Sequence, residues 1–156
     1  MKKIKWTDLI IFIVTAELVG TLSALLSGQY RDIFSELNKP PLSPPAILFP
    51  IVWAILYALM GIGAYLVYVS EDSGVRTFSL RVYILQLAVN FSWSIIFFRF
   101  ELLGLAAVVA VILAVLVAVM VRAFYLTRPL AAYINLPYLA WSIFASYLAI
   151  GNAVLN

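Results

Sequence analysis

The sequence predicts an all-α membrane protein, a bundle of five transmembrane helices with a proline-rich loop between helices 1 and 2. Three observations lead there. Apolar residues make up 65% and charged residues 11% of the 156 positions, with a mean hydropathy of +1.08, which is more apolar surface than one small soluble core can hide. The charges cluster, and they leave five long apolar windows, each near the roughly 20 residues that a membrane-crossing helix needs. Those windows do not alternate apolar with polar as barrel strands do, and a bilayer admits only helices or closed barrels because every backbone polar group must be satisfied internally.

The first window, Leu9 to Leu26, follows Lys2, Lys3 and Lys5. That start imitates a secretory leader, but no small-residue cleavage site closes a short apolar core, so the segment is expected to stay as a first helix. Ala16, Gly20, Ala24 and Gly28 recur along it every four residues, a spacing that lets helix backbones approach closely where lipid supplies no hydrophobic drive. Packing inside the bundle and the seam of a homodimer would both use such a ladder. The longest loop, Gln29 to Pro45, comes next, and the stretch Lys39 to Trp53 carries five of the seven prolines: Pro40, Pro41, Pro44, Pro45 and Pro50. Proline holds φ near −65° and biases the preceding residue to extended backbone, so this loop is stiff and reads as a cap over a helix mouth.

The second window, Ala46 to Val69, aligns Trp53, Tyr57 and Met60 on one face. A turn around Glu71-Asp72-Ser73-Gly74, within Ser70 to Ser79, leads to the third window, Val82 to Phe98. There Gln86, Asn90, Trp93 and Phe97 step by four, three and four and so share a face. An amide at mid-span is costly unless it bonds another helix, a water or a ligand, and Asn90 is open to each of these roles. The fourth window, Leu102 to Val121, repeats the small-residue ladder with Ala106, Ala110, Ala114 and Ala118. After a turn at Thr127 to Pro129, the fifth window, Leu130 to Leu155, sets Tyr138, Trp141, Ala145 and Asn152 in a stripe. Short links force sequential helices to pack as antiparallel neighbours, so residues 1–156 are expected to form a single domain.

Cysteine and histidine are both absent. Their absence removes disulfides, thiol chemistry, imidazole general bases and the usual transition-metal ligands, and no metal site is expected. Seven of the ten Lys and Arg residues fall on the side of the first helix's start. This excess predicts a cytoplasmic N-terminus, an outward C-terminus and proline loop, and residence in a plasma or inner membrane. The net charge of +3 suits anionic lipid headgroups and calls for no nucleic acid. Aromatic faces on the second, third and fifth helices can enclose a cavity with an amide or two for orientation, which suits a flat apolar ligand. Glu17, an acidic residue deep in the first window, supports the alternative of a small proton-coupled transporter of hydrophobic compounds, while a hydrogen bond to Thr21 one turn on would make it structural.

Lys39-Pro40-Pro41, Pro44-Pro45, Phe49-Pro50-Ile51-Val52-Trp53 with Leu56-Tyr57, Asn90-Phe91-Ser92-Trp93, Pro137-Tyr138-Leu139-Ala140-Trp141 and Phe144-Ala145-Ser146-Tyr147-Leu148 together resemble the tryptophan-rich sensory protein/translocator protein family along essentially the whole chain. The resemblance implies a membrane receptor, usually dimeric, whose pocket at the bundle end is closed by the first loop. It implies porphyrins such as protoporphyrin IX, haem in some cases, and related hydrophobic molecules as ligands or substrates, with no tightly bound cofactor. By position, Trp53 and Trp141 match the pocket tryptophans, Asn90 the pocket amide, Ala145 the small residue of the last helix, and Pro41 and Pro44 the lid. In some bacterial relatives the two tryptophans are implicated in light-dependent oxidative degradation of the porphyrin. Tyr57, Trp93 and Tyr138 complete the expected ligand-binding set. The sequence departs from the family pattern at Ile47, where many relatives carry tryptophan, and at Ala149, where asparagine is common. It also has no basic residue after Tyr147, as sterol binding would favour.

Overall fold

The computed structural model describes residues 4–28, 33 and 35–156; Lys2, Lys3 and the loop residues Gln29, Arg31 and Asp32 lie outside this set. The described helices are α1 (Trp6–Ser27), α2 (Leu48–Tyr68), α3 (Gly74–Ser94, continuing through a π-helical turn at Ile95–Arg99), α4 (Leu103–Thr127), α5 (Pro129–Ile134) and α6 (Leu136–Leu155). Five segments are long and apolar enough to cross a membrane, with α5 and α6 together forming the fifth. Large apolar side chains such as Ile10, Leu18, Ile55, Ile84, Val108 and Val115 point outward around the bundle. In water that surface would be untenable, so the protein is an integral, multi-pass membrane protein.

Local chemistry explains the helix boundaries. Proline at position 50 lies in the first turn of α2, where backbone N–H groups have no intrahelical partner to lose. The third helix begins at Gly74 rather than Val82 because Ser73 caps it, accepting a hydrogen bond from the Arg76 backbone N–H at 3.1 Å. Arg76 also pairs with Asp72 at 3.1 Å. Arginine stems lie along the helix while their charged heads reach water, so a window drawn by hydropathy stops short of the true start. The fifth crossing is broken where Pro137 cannot donate to the helix ladder. Asn135 secures the break: its side-chain N–H₂ donates to Ala131 O at 2.9 Å and to Leu59 O on α2 at 3.4 Å. Gly63 makes room, since a Cβ there would collide with the Asn135 amide nitrogen.

Close approaches hold α1 against α2. A Cβ at Gly61 would fall 2.7 Å from Ile13 Cα and 2.8 Å from Phe12 O, while Gly20 accommodates the ring of Tyr57. Of the α1 ladder, Ala16 is buried and Gly20 packs on Tyr57, whereas Ala24 is exposed. Gly28 stands apart from that ladder, ending the helix with φ 80° and nothing near its Cβ position. In α4, Ala106 and Ala110 are buried and their carbonyls accept hydrogen bonds from Trp93 Nε1 at 2.9 Å and Ser146 Oγ at 3.0 Å. Ala118 faces outward instead. Antiparallel threading gathers the ends of α1, α3 and α6 and the starts of α2 and α4 on the side of the proline loop.

Candidate functional site: an aromatic cavity at the loop end of the bundle

At that end α1, α2 and α3 enclose a cavity of about 120 Å³. Gly20, Ala24 and Ser27 of α1 form one wall, and their small side chains leave the space open. Phe49, Pro50, Trp53 and Tyr57 form the second wall, with Asn90, Trp93, Ser94 and Phe98 as the third. The π-helical turn shapes that last wall. It clusters Trp93 with Phe97 (5.2 Å between ring centroids) and Phe98 (6.1 Å), so that Phe97 is buried and Phe98 lines the space. Such turns widen a helix by one residue and recur at ligand sites. Arg99, at the end of the turn, donates to Leu26 O at 3.2 Å and places a cation on the C-terminal end of α1.

The proline loop clasps α6. Pro40 is buried against Gly151, where a Cβ would fall 2.5 Å from the proline ring. Tyr147 donates its hydroxyl to Pro41 O at 2.8 Å. Asn38 and Asn156 exchange hydrogen bonds, Asn38 N–H to Asn156 Oδ1 at 2.9 Å and Asn156 Nδ2 to Asn38 O at 3.0 Å. These bonds hold residues 38–41 against α6 and the C-terminus, in addition to the stiffness that the prolines give.

The TspO/MBR family profile matches residues 11–155. The chain belongs to this family. It is 34% identical over 149 residues to the translocator protein of Sus scrofa, covering 92% of this chain and 86% of that one. It is 32% identical over 151 residues to the tryptophan-rich sensory protein of Cereibacter sphaeroides, covering 97% and 92%. The tryptophan-rich protein TspO of Archaeoglobus fulgidus is 30% identical over 154 residues, covering 92% and 96%.

Within this TspO/MBR bundle, Trp53, Tyr57, Asn90 and Trp93 line the cavity together. Tyr138 lies behind them, fully buried, with its ring edge-on to Trp53 at 6.2 Å. Trp141 is a further layer back. Its ring meets the cavity-wall residue Phe49 edge-on at 6.0 Å and lines a separate outward groove between α2 and α6 with Val52, Leu56, Pro137 and Phe144. Ala145 is partly buried and lies outside the lining, as do Pro41, which is exposed, and Pro44. Gly20, Ala24, Ser27, Phe49, Ser94 and Phe98 are among the further lining residues that the sequence did not single out as ligand contacts. The α1 ladder was the available signal, because small residues that permit packing also leave a vacancy where a neighbour stops short.

A larger groove, about 570 Å³ between α1 and α3, is lined mainly by apolar side chains such as Ile11, Val19, Ile84 and Leu87 and opens on the outer face of the bundle. The smaller cavity is the better candidate for a specific ligand, because apolar walls and a few convergent polar groups meet there at the proline-loop end of the bundle. The expected Glu17 to Thr21 hydrogen bond does not form, and Glu17 lies outside the cavity lining. Among the described residues no cluster of His, Cys, Asp or Glu is arranged to hold a metal ion.

Proposed function

We propose that this protein is a membrane receptor for flat, hydrophobic tetrapyrroles such as protoporphyrin IX, bound in the cavity beneath the proline loop. The observation that carries this reading is the meeting of Trp53, Tyr57 and Trp93 around one amide, Asn90, at the proline-loop end of the bundle. Indole and phenol faces offer stacking worth roughly 0.5–1.5 kcal/mol per ring beyond simple burial. At about 120 Å³ the cavity is smaller than the roughly 300–1,000 Å³ of ordinary ligand pockets. A macrocycle therefore enters by parting the loop from α6. With neither His nor Cys in the chain, strong axial ligation of haem iron is unavailable, so free-base porphyrin and haem bind comparably and no cofactor is held tightly.

Porphyrin titration of the detergent-purified protein in darkness, followed by tryptophan quenching, tests this. Trp53→Ala is expected to weaken binding about tenfold, as loss of a buried aromatic anchor does, and Trp141→Ala by less than about threefold. Equal losses in the two variants would count against this cavity as the site.

A second reading is favoured by the Trp53 indole forming part of the cavity wall: under light and oxygen, the bound porphyrin is degraded and the indole donates electrons or intercepts the reactive species, with the porphyrin supplying the photochemistry. Trp53→Phe should then retain binding and slow the loss of porphyrin absorbance, whereas equal bleaching would indicate free photochemistry. The rival, proton-coupled transport through Glu17, is weaker because that carboxylate does not line the cavity. The Lys and Arg distribution supports a cytoplasmic N-terminus in a plasma or inner membrane. A homodimer belongs to the same proposal, and crosslinking in lipid that traps only monomer would refute it.

A further inference from the structure

Beneath the cavity floor a chain of four side chains runs from Met60 through Gln86 and Tyr138 to Asn90. Gln86 Nε2 lies 3.6 Å from Met60 Sδ, Tyr138 donates its hydroxyl to Gln86 Oε1 at 2.7 Å, and Asn90 Nδ2 approaches the Tyr138 oxygen at 3.4 Å. All four residues are buried. A thioether is an acceptor only, so it turns the NH₂ of Gln86 toward itself and leaves the Gln86 carbonyl to face Tyr138. A phenol has a single proton, and this one is committed to Gln86 at a separation typical of O–H···O bonds. Tyr138 therefore meets Asn90 as an acceptor, which holds the Asn90 NH₂ inward. The Asn90 Oδ1 is in no hydrogen bond among the described residues and is not shut away from open space, and Asn90 lines the cavity.

We infer that this relay fixes the hydrogen-bond polarity of the cavity, so that Asn90 presents a carbonyl to the ligand and selects molecules with an N–H or O–H donor on the edge that reaches it. The inference rests on the cavity being the ligand site, and it deepens that reading by naming a class of ligand. A ligand edge bearing only acceptors would leave two oxygens facing each other between apolar walls, each unpaired. For a porphyrin this sends ionised propionates, which are acceptors, toward the mouth and the loop, away from Asn90. Met60, Gln86 and Tyr138 are positioning residues that never touch the ligand.

Two flat tricyclic probes of nearly equal shape separate this from general stacking: carbazole has an N–H where dibenzofuran has an oxygen. Dissociation constants for the purified protein, corrected for partition into protein-free micelles, are expected to favour carbazole about tenfold. In Gln86→Leu the Tyr138 proton loses its acceptor and turns to Asn90 Oδ1, so the amide rotates its NH₂ into the cavity and the preference inverts. Tyr138→Phe frees the amide to turn either way, and the ratio falls toward one. Equal or reversed affinities in the wild type, failure of both probes to bind, or a carbazole preference retained in Gln86→Leu would each overturn the inference. Protoporphyrin that does not bind while the tricyclic preference and its inversion persist would instead overturn the tetrapyrrole reading alone.

Discussion

Joining positions 38 and 156 by a disulfide, in Asn38→Cys/Asn156→Cys, is expected to slow protoporphyrin association on the order of tenfold or more, with full recovery on reduction. The two asparagines reach each other's atoms directly, side-chain amide to backbone in both directions. A disulfide spans a Cα separation of about 4.4–6.8 Å. The chain contains no cysteine, so the introduced pair is the only thiol chemistry present. In the unmodified protein the clasp consists of exposed hydrogen bonds and the contact of Pro40 with Gly151. Exposed hydrogen bonds contribute little net free energy, so the clasp opens readily. A covalent clasp removes the open state through which a macrocycle must pass. Stopped-flow quenching with oxidised and reduced protein measures the effect, and an unchanged association rate would mean that ligand reaches the cavity by another route, such as between α2 and α6.

The second large effect concerns the bundle itself. Gly61→Ala should destabilise the protein by about 2–3 kcal/mol, seen as a lowered unfolding midpoint in detergent, because the added methyl meets the α1 backbone at Phe12 and Ile13 rather than a movable side chain. Backbone cannot swing aside, so α1 must shift away from α2, loosening the wall that Gly20 and Ala24 give the cavity. Porphyrin affinity should fall as well. Gly104→Ala is the control: nothing lies within 4 Å of its Cβ position at the start of α4, and helix propensity there should leave stability unchanged or raised by a few tenths of a kcal/mol. Equal responses at the two glycines would contradict the close α1 to α2 approach.

Much of the bundle was legible because bilayer physics acts on local composition. Each of the five windows needs only a run of apolar residues to be recognised, and each corresponds to a crossing in the structure. Errors arose where that signal is carried by something other than hydropathy. Hydropathy starts the third window at Val82, after Arg76 and Arg81 interrupt the apolar run, yet the Ser73 cap and snorkelling arginines carry the helix back to Gly74. The break between α5 and α6 depends on Asn135 bonding across to α2, a contact between residues 76 positions apart.

Residue type and helical period alone determined the membrane class, the number of crossings, the stiff loop and the shared face of Gln86, Asn90 and Trp93. Each follows from a preference that acts over one or two turns of helix or within a few bonds of a proline. Only the tertiary structure decided that Trp53 walls the cavity while Trp141 sits behind Phe49, that Tyr138 supports the floor from beneath, and that Pro40 seats in the space left by Gly151. Those placements depend on how helices rotate about their own axes and how closely they approach. Steric fit between residues far apart in the chain sets both, and no local pattern encodes it.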